Sequence, residues 1–269
     1  MRLLHTETYK LETFLNNIPF YAILSHTWCE EEVLFTHVTS DFEDAKRLKG
    51  WQKVESCCWR AAQDGWQYVW IDTCCINKAD TTELGEAINS MFRWYENAQV
   101  RYAYLEDVPP RYYASNEHME TEGVPWKWHF RSTRWFKRGW TLQELLAPTY
   151  LLFMDNGWGL LGSREEFANE VETATGIAVK HLLDFNPCCL ATKLSWAVSR
   201  QTTREEDRAY SLLGLLEINM PLIYGEGKRS FIRLQQELIR NYSDETILAW
   251  GYRTCKNMQN TLMGSYMIN

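Results

Sequence analysis

Two places in this 269-residue chain have side chains of the types needed for chemistry. Ser25-His26-Thr27-Trp28 and Asp72 offer a hydroxyl, an imidazole, an indole and a carboxylate. The second place is Glu144, in the stretch RGWTLQELLAP at residues 138–148. Around it lie Trp140, Leu142, Leu145 and Leu146, with Trp135 and Phe136 just upstream. A carboxylate among bulky apolar residues is either satisfied by a partner or kept for chemistry. Thr141-Leu-Gln-Glu144 also fits the capping-box pattern, in which the Glu accepts from the N-cap amide, so cap and catalyst stand as two readings.

Ser25, His26 and Asp72 invite a hydrolase-triad reading. Neighbouring strand residues point to opposite faces, so Ser25 and His26 pair only if the chain turns between them. No GxSxG elbow is present, and a hydrolase using Ser25 or Cys74 needs base and nucleophile within hydrogen-bond reach. His26 has no second His at metal-ligand spacing. Six of the 8 cysteines fall in adjacent pairs (Cys57–Cys58, Cys74–Cys75, Cys188–Cys189), without a CxxC, and read as buried, reduced thiols. Gly225-Glu-Gly227 lacks the spacing of a phosphate loop and reads as the approach to a helix near Lys228. Glu205-Glu-Asp-Arg208 reads as a helix start with acidic residues at its positive end, from which Asp207 or Arg208 can reach a site.

A net charge of −7, without a long basic run, opposes binding to nucleic acid. No apolar run approaches the ~20 residues of a membrane helix. The start, MRLLHTETYK, lacks the apolar core of a secretory signal, so a cytoplasmic location is expected. The 13 Trp predict a core rich in rings.

The elements that must position these residues follow from local pattern. Apolar runs at residues 21–25, 68–72, 101–105 and 150–154 predict strands. Residues 51–64 predict a helix stopped by Gly65, and Leu84, Ile88, Met91, Phe92 and Tyr95 share one helical face. A helix over 138–146 ends before Pro148. This alternation predicts a parallel α/β sheet covered by helices on both faces. Residues 108–131 read as a loop or insertion. Beyond Gly157, helices are expected at 164–175, 190–200, 206–216 and 228–240. Residues 1–157 are thus expected to form the α/β core and 158–269 a helical part of the same unit. Ligands in such sheets sit at the carboxyl ends of strands, which selects Ser25 to Trp28, Asp72 to Asn77, and Glu106-Asp107.

YAILSHTW (21–28), WIDTCCINKAD (70–80), RGWTLQELLAP (138–148), SWAVSRQTTREEDRAYSLLGL (195–215) and MPLIYGEGKRSFIRLQQELI (220–239) together resemble the fungal heterokaryon-incompatibility (HET) domain. The resemblance runs from Met1 to about Trp250, with Lys78 standing where the family often carries Gln. It implies a cell-death effector in self/non-self recognition between fungal strains, alone or at the N-terminus of NLR-like receptors. The family is in turn similar to Toll/interleukin-receptor (TIR) domains, which implies a TIR-like, flavodoxin-like sheet. Trp140-Thr-Leu-Gln-Glu144-Leu145 resembles the TIR motif W-C-x-x-E-L, with Thr141 in place of the Cys and a longer loop before it. In TIR domains that hydrolyse NAD⁺, that Glu is catalytic. The resemblance therefore implies Glu144 as the catalytic carboxylate, with Ser25, His26, Trp28, Asp72, Asn77, Arg138 and Trp140 binding the substrate. It further implies NAD⁺ as substrate without a metal or other cofactor, and self-association into homo-oligomers. Trp28 or Trp140 can stack on a flat ring. The rival reading is a non-enzymatic homotypic module that triggers death by assembly, with Glu144 as a cap.

Overall fold

The structure, a computed structural model, describes residues 1–40, 42–110 and 126–249. Residues 111–125 of the expected loop, and Cys255, lie outside the described residues. The first half runs β1 (Arg2–His5), β2 (Leu11–Thr13), β3 (Ala22–His26), α1 (Phe35–Ser40), α2 (Phe42–Ala45), α3 (Trp51–Gln63) and β4 (Tyr68–Trp70). It continues with α4 (Asp72–Cys75), α5 (Thr81–Asn97), β5 (Val100–Tyr104), α6 (Trp126–Ser132), a 3₁₀ turn (Arg134–Lys137), α7 (Thr141–Leu146) and β6 (Leu151–Met154). After β7 (Leu160–Ser163) come α8 (Ala168–Thr175), α9 (Val179–Leu183), α10 (Leu190–Ser195), α11 (Asp207–Tyr210), α12 (Arg229–Asn241) and α13 (Thr246–Ala249).

Each of the four strands expected from the sequence is present, and β4, β3, β5 and β6 pair in parallel in that spatial order. All five residues of β3 are buried, as befits a strand covered on both faces. β4 and β5 lie on opposite sides of β3, so the chain reverses its direction across the sheet there. At such a switch point the carboxyl ends open a crevice.

The sheet is mixed, which corrects the expectation of a parallel one. Among the described residues it has seven strands in the order β2-β1-β4-β3-β5-β6-β7, and β1, β2 and β7 join antiparallel. These added strands are three or four residues long, with partly exposed ends, so they lack the apolar run that marks a central strand. β7 also carries the sheet past residue 157.

Helices α3 and α5 follow the predicted periodicity closely. Gly65, at φ +86°, terminates the first of them. Asp80 caps α5 by accepting from the N–H groups of Thr82 (2.9 Å) and Glu83 (3.1 Å). Part of the expected 108–131 loop is helical instead, because α6 buries Phe130 against Trp126, Phe136, Phe153 and Phe167. The helix expected over 138–146 begins three residues late. Its first residues pair with the C-terminal half: Gly139 N–H donates to Gln201 O at 2.8 Å, and Arg138 bridges to Gln201.

From α8 to Ala249 the chain is helical as expected, in shorter pieces. The predicted 206–216 helix shrinks to α11, and buried Leu212, Leu213, Leu215 and Leu216 follow it as turns. Gly214 lies so close to α5 that an added Cβ would stand 2.1 Å from the Phe92 Cβ. That contact seats the C-terminal half against the sheet domain. Among the described residues, no helix is long and apolar enough to cross a membrane.

Candidate active site

At the carboxyl ends of β3 and β4 lies a cavity of about 530 Å³. Apolar side chains of Ile76 and of α5 (Leu84, Ile88, Met91) form one wall. Glu144 forms the floor. Thr203, Arg204, Asp207 and Tyr224 close the far side, so the C-terminal half completes the site.

Glu144 is 6 % exposed. The Ser25 hydroxyl donates to its Oε2 and accepts from the indole N–H of Trp135 at 2.8 Å. Tyr95 also faces the carboxyl, while its hydroxyl donates to Leu24 O at 3.2 Å. Burial pushes the Glu144 pKa up to about 8; the negative charge of Asp72 adds to the rise, and Ser25, Arg138 and Tyr95 oppose it. The capping-box reading fails here. Trp140 stands at the N-cap without a side-chain bond, and the Thr141 hydroxyl bonds the carbonyl oxygens of Trp135 and Arg138. Behind this turn, buried Arg200 donates to Arg138 O (2.9 Å) and Thr141 Oγ1 (3.0 Å).

The rim is organised around a second carboxylate. Asp72 Oδ1 lies 3.0 Å from His26 Nε2, and Oδ2 accepts from the Trp28 indole (3.0 Å) and from Lys78 (3.3 Å). Burial alone would raise its pKa, but Lys78 and His26 together hold it well below the usual carboxylate range. The turn carrying His26 and Trp28 is pinned by a buried ion pair. Lys53 Nζ lies 2.6 Å from Glu32 and donates to Thr27 O at 3.2 Å.

A third carboxylate, Asp207, accepts from Tyr224 at 3.0 Å and from Trp140. Burial raises its pKa against those bonds and the charge of Arg204. Arg204 lies 4.5 Å from the centre of the Tyr224 ring. Glu206 fixes the loop bearing Tyr224 by accepting from the N–H groups of Gly225 (2.8 Å) and Gly227 (3.0 Å). The Gly-Glu-Gly motif thus serves an internal anchor and leads into α12.

The structure brings Glu144, His26, Trp28, Asp72, Arg138 and Trp140 to one cavity. Ser25 lies beneath its floor, fully buried and in contact with Glu144. Asn77 is not among the lining residues: its side chain accepts from Ala79 N–H at 3.2 Å, and its own N–H donates to Glu83 at 2.8 Å. No Ser25–His26–Asp72 triad forms, since Ser25 bonds Glu144 and His26 bonds Asp72, as strand alternation requires. Cys74 is fully buried and bonds only within its own turn, at 3.9 Å from Ile71 O. Lys78, Tyr95, Arg204 and Tyr224 line the cavity without having stood out as site residues in the sequence. A charged cluster at 205–208 and the turn at 225–227 were the available signals for the last two; a tyrosine on an apolar helix face gave none.

Chemically, the floor offers one buried carboxyl group beside the apolar wall of α5, in no ion pair with a cation among the described residues. Such a group is poised to meet positive charge that develops in a ligand. Two indoles and a tyrosine ring offer faces for flat groups, and Arg138 and Arg204 offer donors for anionic ones.

Residues 21–144 match the family described as Heterokaryon incompatibility protein (HET). The matched stretch begins one residue before β3 and ends on Glu144, so it spans the floor and the Asp72 rim. The chain contains a HET domain. It is 43 % identical over 232 residues to the vegetative incompatibility protein HET-E-1 of Podospora anserina, a similarity covering 82 % of this chain and 16 % of that protein. The chain therefore spans about a sixth of the length of this curated relative. No solved structure matches it. The wall formed by Arg204, Asp207 and Tyr224 lies beyond residue 144, outside the matched stretch.

Proposed function

We propose that this HET domain is an NAD⁺ glycohydrolase with Glu144 as its essential carboxylate. The observation that carries the reading is a buried carboxyl group at the floor of a cavity with one apolar wall, held by Ser25 and Tyr95 and, among the described residues, in no ion pair with an arginine or lysine. In NAD⁺ the nicotinamide is a cationic leaving group. Breaking the C1′–N bond sends the electron pair to the ring, which leaves neutral, while the ribose becomes oxocarbenium-like. An ionised Glu144 stabilises that cation, and the substrate's positive charge favours ionisation as it docks. Water then adds at C1′ and loses a proton, giving ADP-ribose. His26, Trp28, Asp72, Arg138 and Trp140 bind the substrate, and Ser25 positions the carboxylate.

The parallel order β4-β3-β5-β6, second-first-third-fourth in the chain, supports a TIR-like, flavodoxin-like ancestry for the sheet. The relative's printed role in vegetative incompatibility supports a part in non-self recognition, with NAD⁺ loss in the cytoplasm as the route to cell death. Self-association, and coupling to an NLR-like receptor, would then set when the site acts. A non-enzymatic assembly module is the second reading; it is weakened because Glu144 does not cap its helix.

Incubating the purified chain at high concentration with NAD⁺ and following nicotinamide release tests the reading. Glu144→Gln is expected to lower the rate by at least about 100-fold while remaining folded. Equal rates for the two proteins, or no consumption by either alongside cell killing by both, would reject it.

A further inference from the structure

Lys78 occupies the face of Trp28 inside the cavity. Its ammonium lies 3.5 Å from the ring centre and 3.3 Å from Asp72 Oδ2. The same Asp72 oxygen accepts from the Trp28 indole N–H at 3.0 Å, so indole edge and carboxylate form one rigid corner. His26 braces the carboxylate from the other side, at 3.0 Å from Oδ1. A π face meeting an oriented carboxylate is a site for an organic cation. Trp28 is 38 % exposed, whereas the Lys78 side chain is a flexible four-carbon tether. The corner is thus fixed and its occupant is movable.

From this we infer that Trp28 and Asp72 form a subsite for a flat cationic heteroaromatic ring, and that Lys78 is a tethered competitor that fills the subsite when no such ring is bound. The inference deepens the proposed reading and rests on it for the identity of the ring, a pyridinium. A pyridinium that enters replaces one positive charge by another and covers more of the indole than an ammonium does. A neutral ring of the same shape displaces Lys78 and takes its compensating charge away from Asp72, leaving the bond to His26. Lys78 therefore lowers affinity for every ring and keeps the site selective for charged ones. The geometry needs no chemistry at Glu144, so binding and hydrolysis can be measured apart.

N1-methylnicotinamide and nicotinamide differ by one methyl group and one positive charge, and neither carries a phosphate. Their affinities for the whole chain, and for Lys78→Gln, Lys78→Arg and Trp28→Leu variants checked for folding by circular dichroism, are read by ligand-detected NMR titration. The cation is expected to bind the unaltered chain more tightly than the neutral ring. Lys78→Gln is expected to tighten the cation by about tenfold, Lys78→Arg to leave it near its original value, and Trp28→Leu to remove the binding. Unchanged or weaker binding in Lys78→Gln would overturn the competitor, and equal affinity for the two rings would overturn the cation subsite. Absence of binding in every protein would overturn both. The NAD⁺ assay decides separately: ring binding that responds to Lys78 without NAD⁺ consumption rejects only the hydrolase, and consumption with unresponsive ring binding rejects only this inference.

Discussion

The floor and the rim of the cavity each hold a carboxyl group, and their surroundings drive them in opposite directions. Burial raises the Glu144 pKa to about 8, against the Ser25 hydroxyl that donates to it. Asp72 is half-buried, and Lys78 and His26 beside it hold it ionised. The chain thus keeps one carboxyl group ready to change charge and another locked in its charged form. The locked one raises the pKa of the other through space, which couples rim to floor.

The opposed environments of the two carboxyl groups bear most strongly on stability against pH. Because the folded pKa of Glu144 lies above its unfolded value, its contribution is fully present below about 4.5 and is lost as pH rises through about 8. Glu144→Gln removes that loss. Its unfolding free energy should gain on the parent by roughly 3–5 kcal/mol between pH 4.5 and 9. Denaturant titrations along the pH axis measure this, and a difference that stays flat would mean Glu144 ionises freely. Asp72 works the other way, with stability present above about 3.8 and lost as pH falls further.

Next in size is Ser25→Ala. It strips Glu144 of its hydroxyl donor and leaves the Trp135 indole without an acceptor, at a cost of about 1–3 kcal/mol. The Glu144 pKa should climb further, because a hydrogen bond that favours the charged form is gone. If the ionised carboxylate is the active form, kcat/KM for NAD⁺ rises with pH through an inflection near 8, and Ser25→Ala moves that inflection upward. The smallest effect is Asp72→Asn, which should move the inflection downward by less than a unit by removing the neighbouring negative charge. An upward move would contradict the coupling of rim to floor.

The strands and the two long helices of the sheet domain were legible because their apolar periodicity is set locally and each is longer than its ambiguities. Glu144 stood out because a charged residue among tryptophans and leucines is a rarity that needs a reason. The antiparallel edges were not legible, since strands of three or four residues carry too little pattern. Neither was the breaking of the 206–216 helix, where close packing of Gly214 on Phe92 overrides the propensity of a leucine-rich run.

By itself, the sequence determined which residues had to be buried, the parallel centre of the sheet, and hence that Ser25, His26 and Asp72 would stand at its carboxyl edge. Which of them meet depends on how distant segments pack. Alternation along β3 sends Ser25 to Glu144, 119 residues away, and His26 to Asp72. The partner of a buried carboxyl group is chosen by packing between distant segments, and that choice, with the closing of the cavity by Arg204, Asp207 and Tyr224, sets its charge.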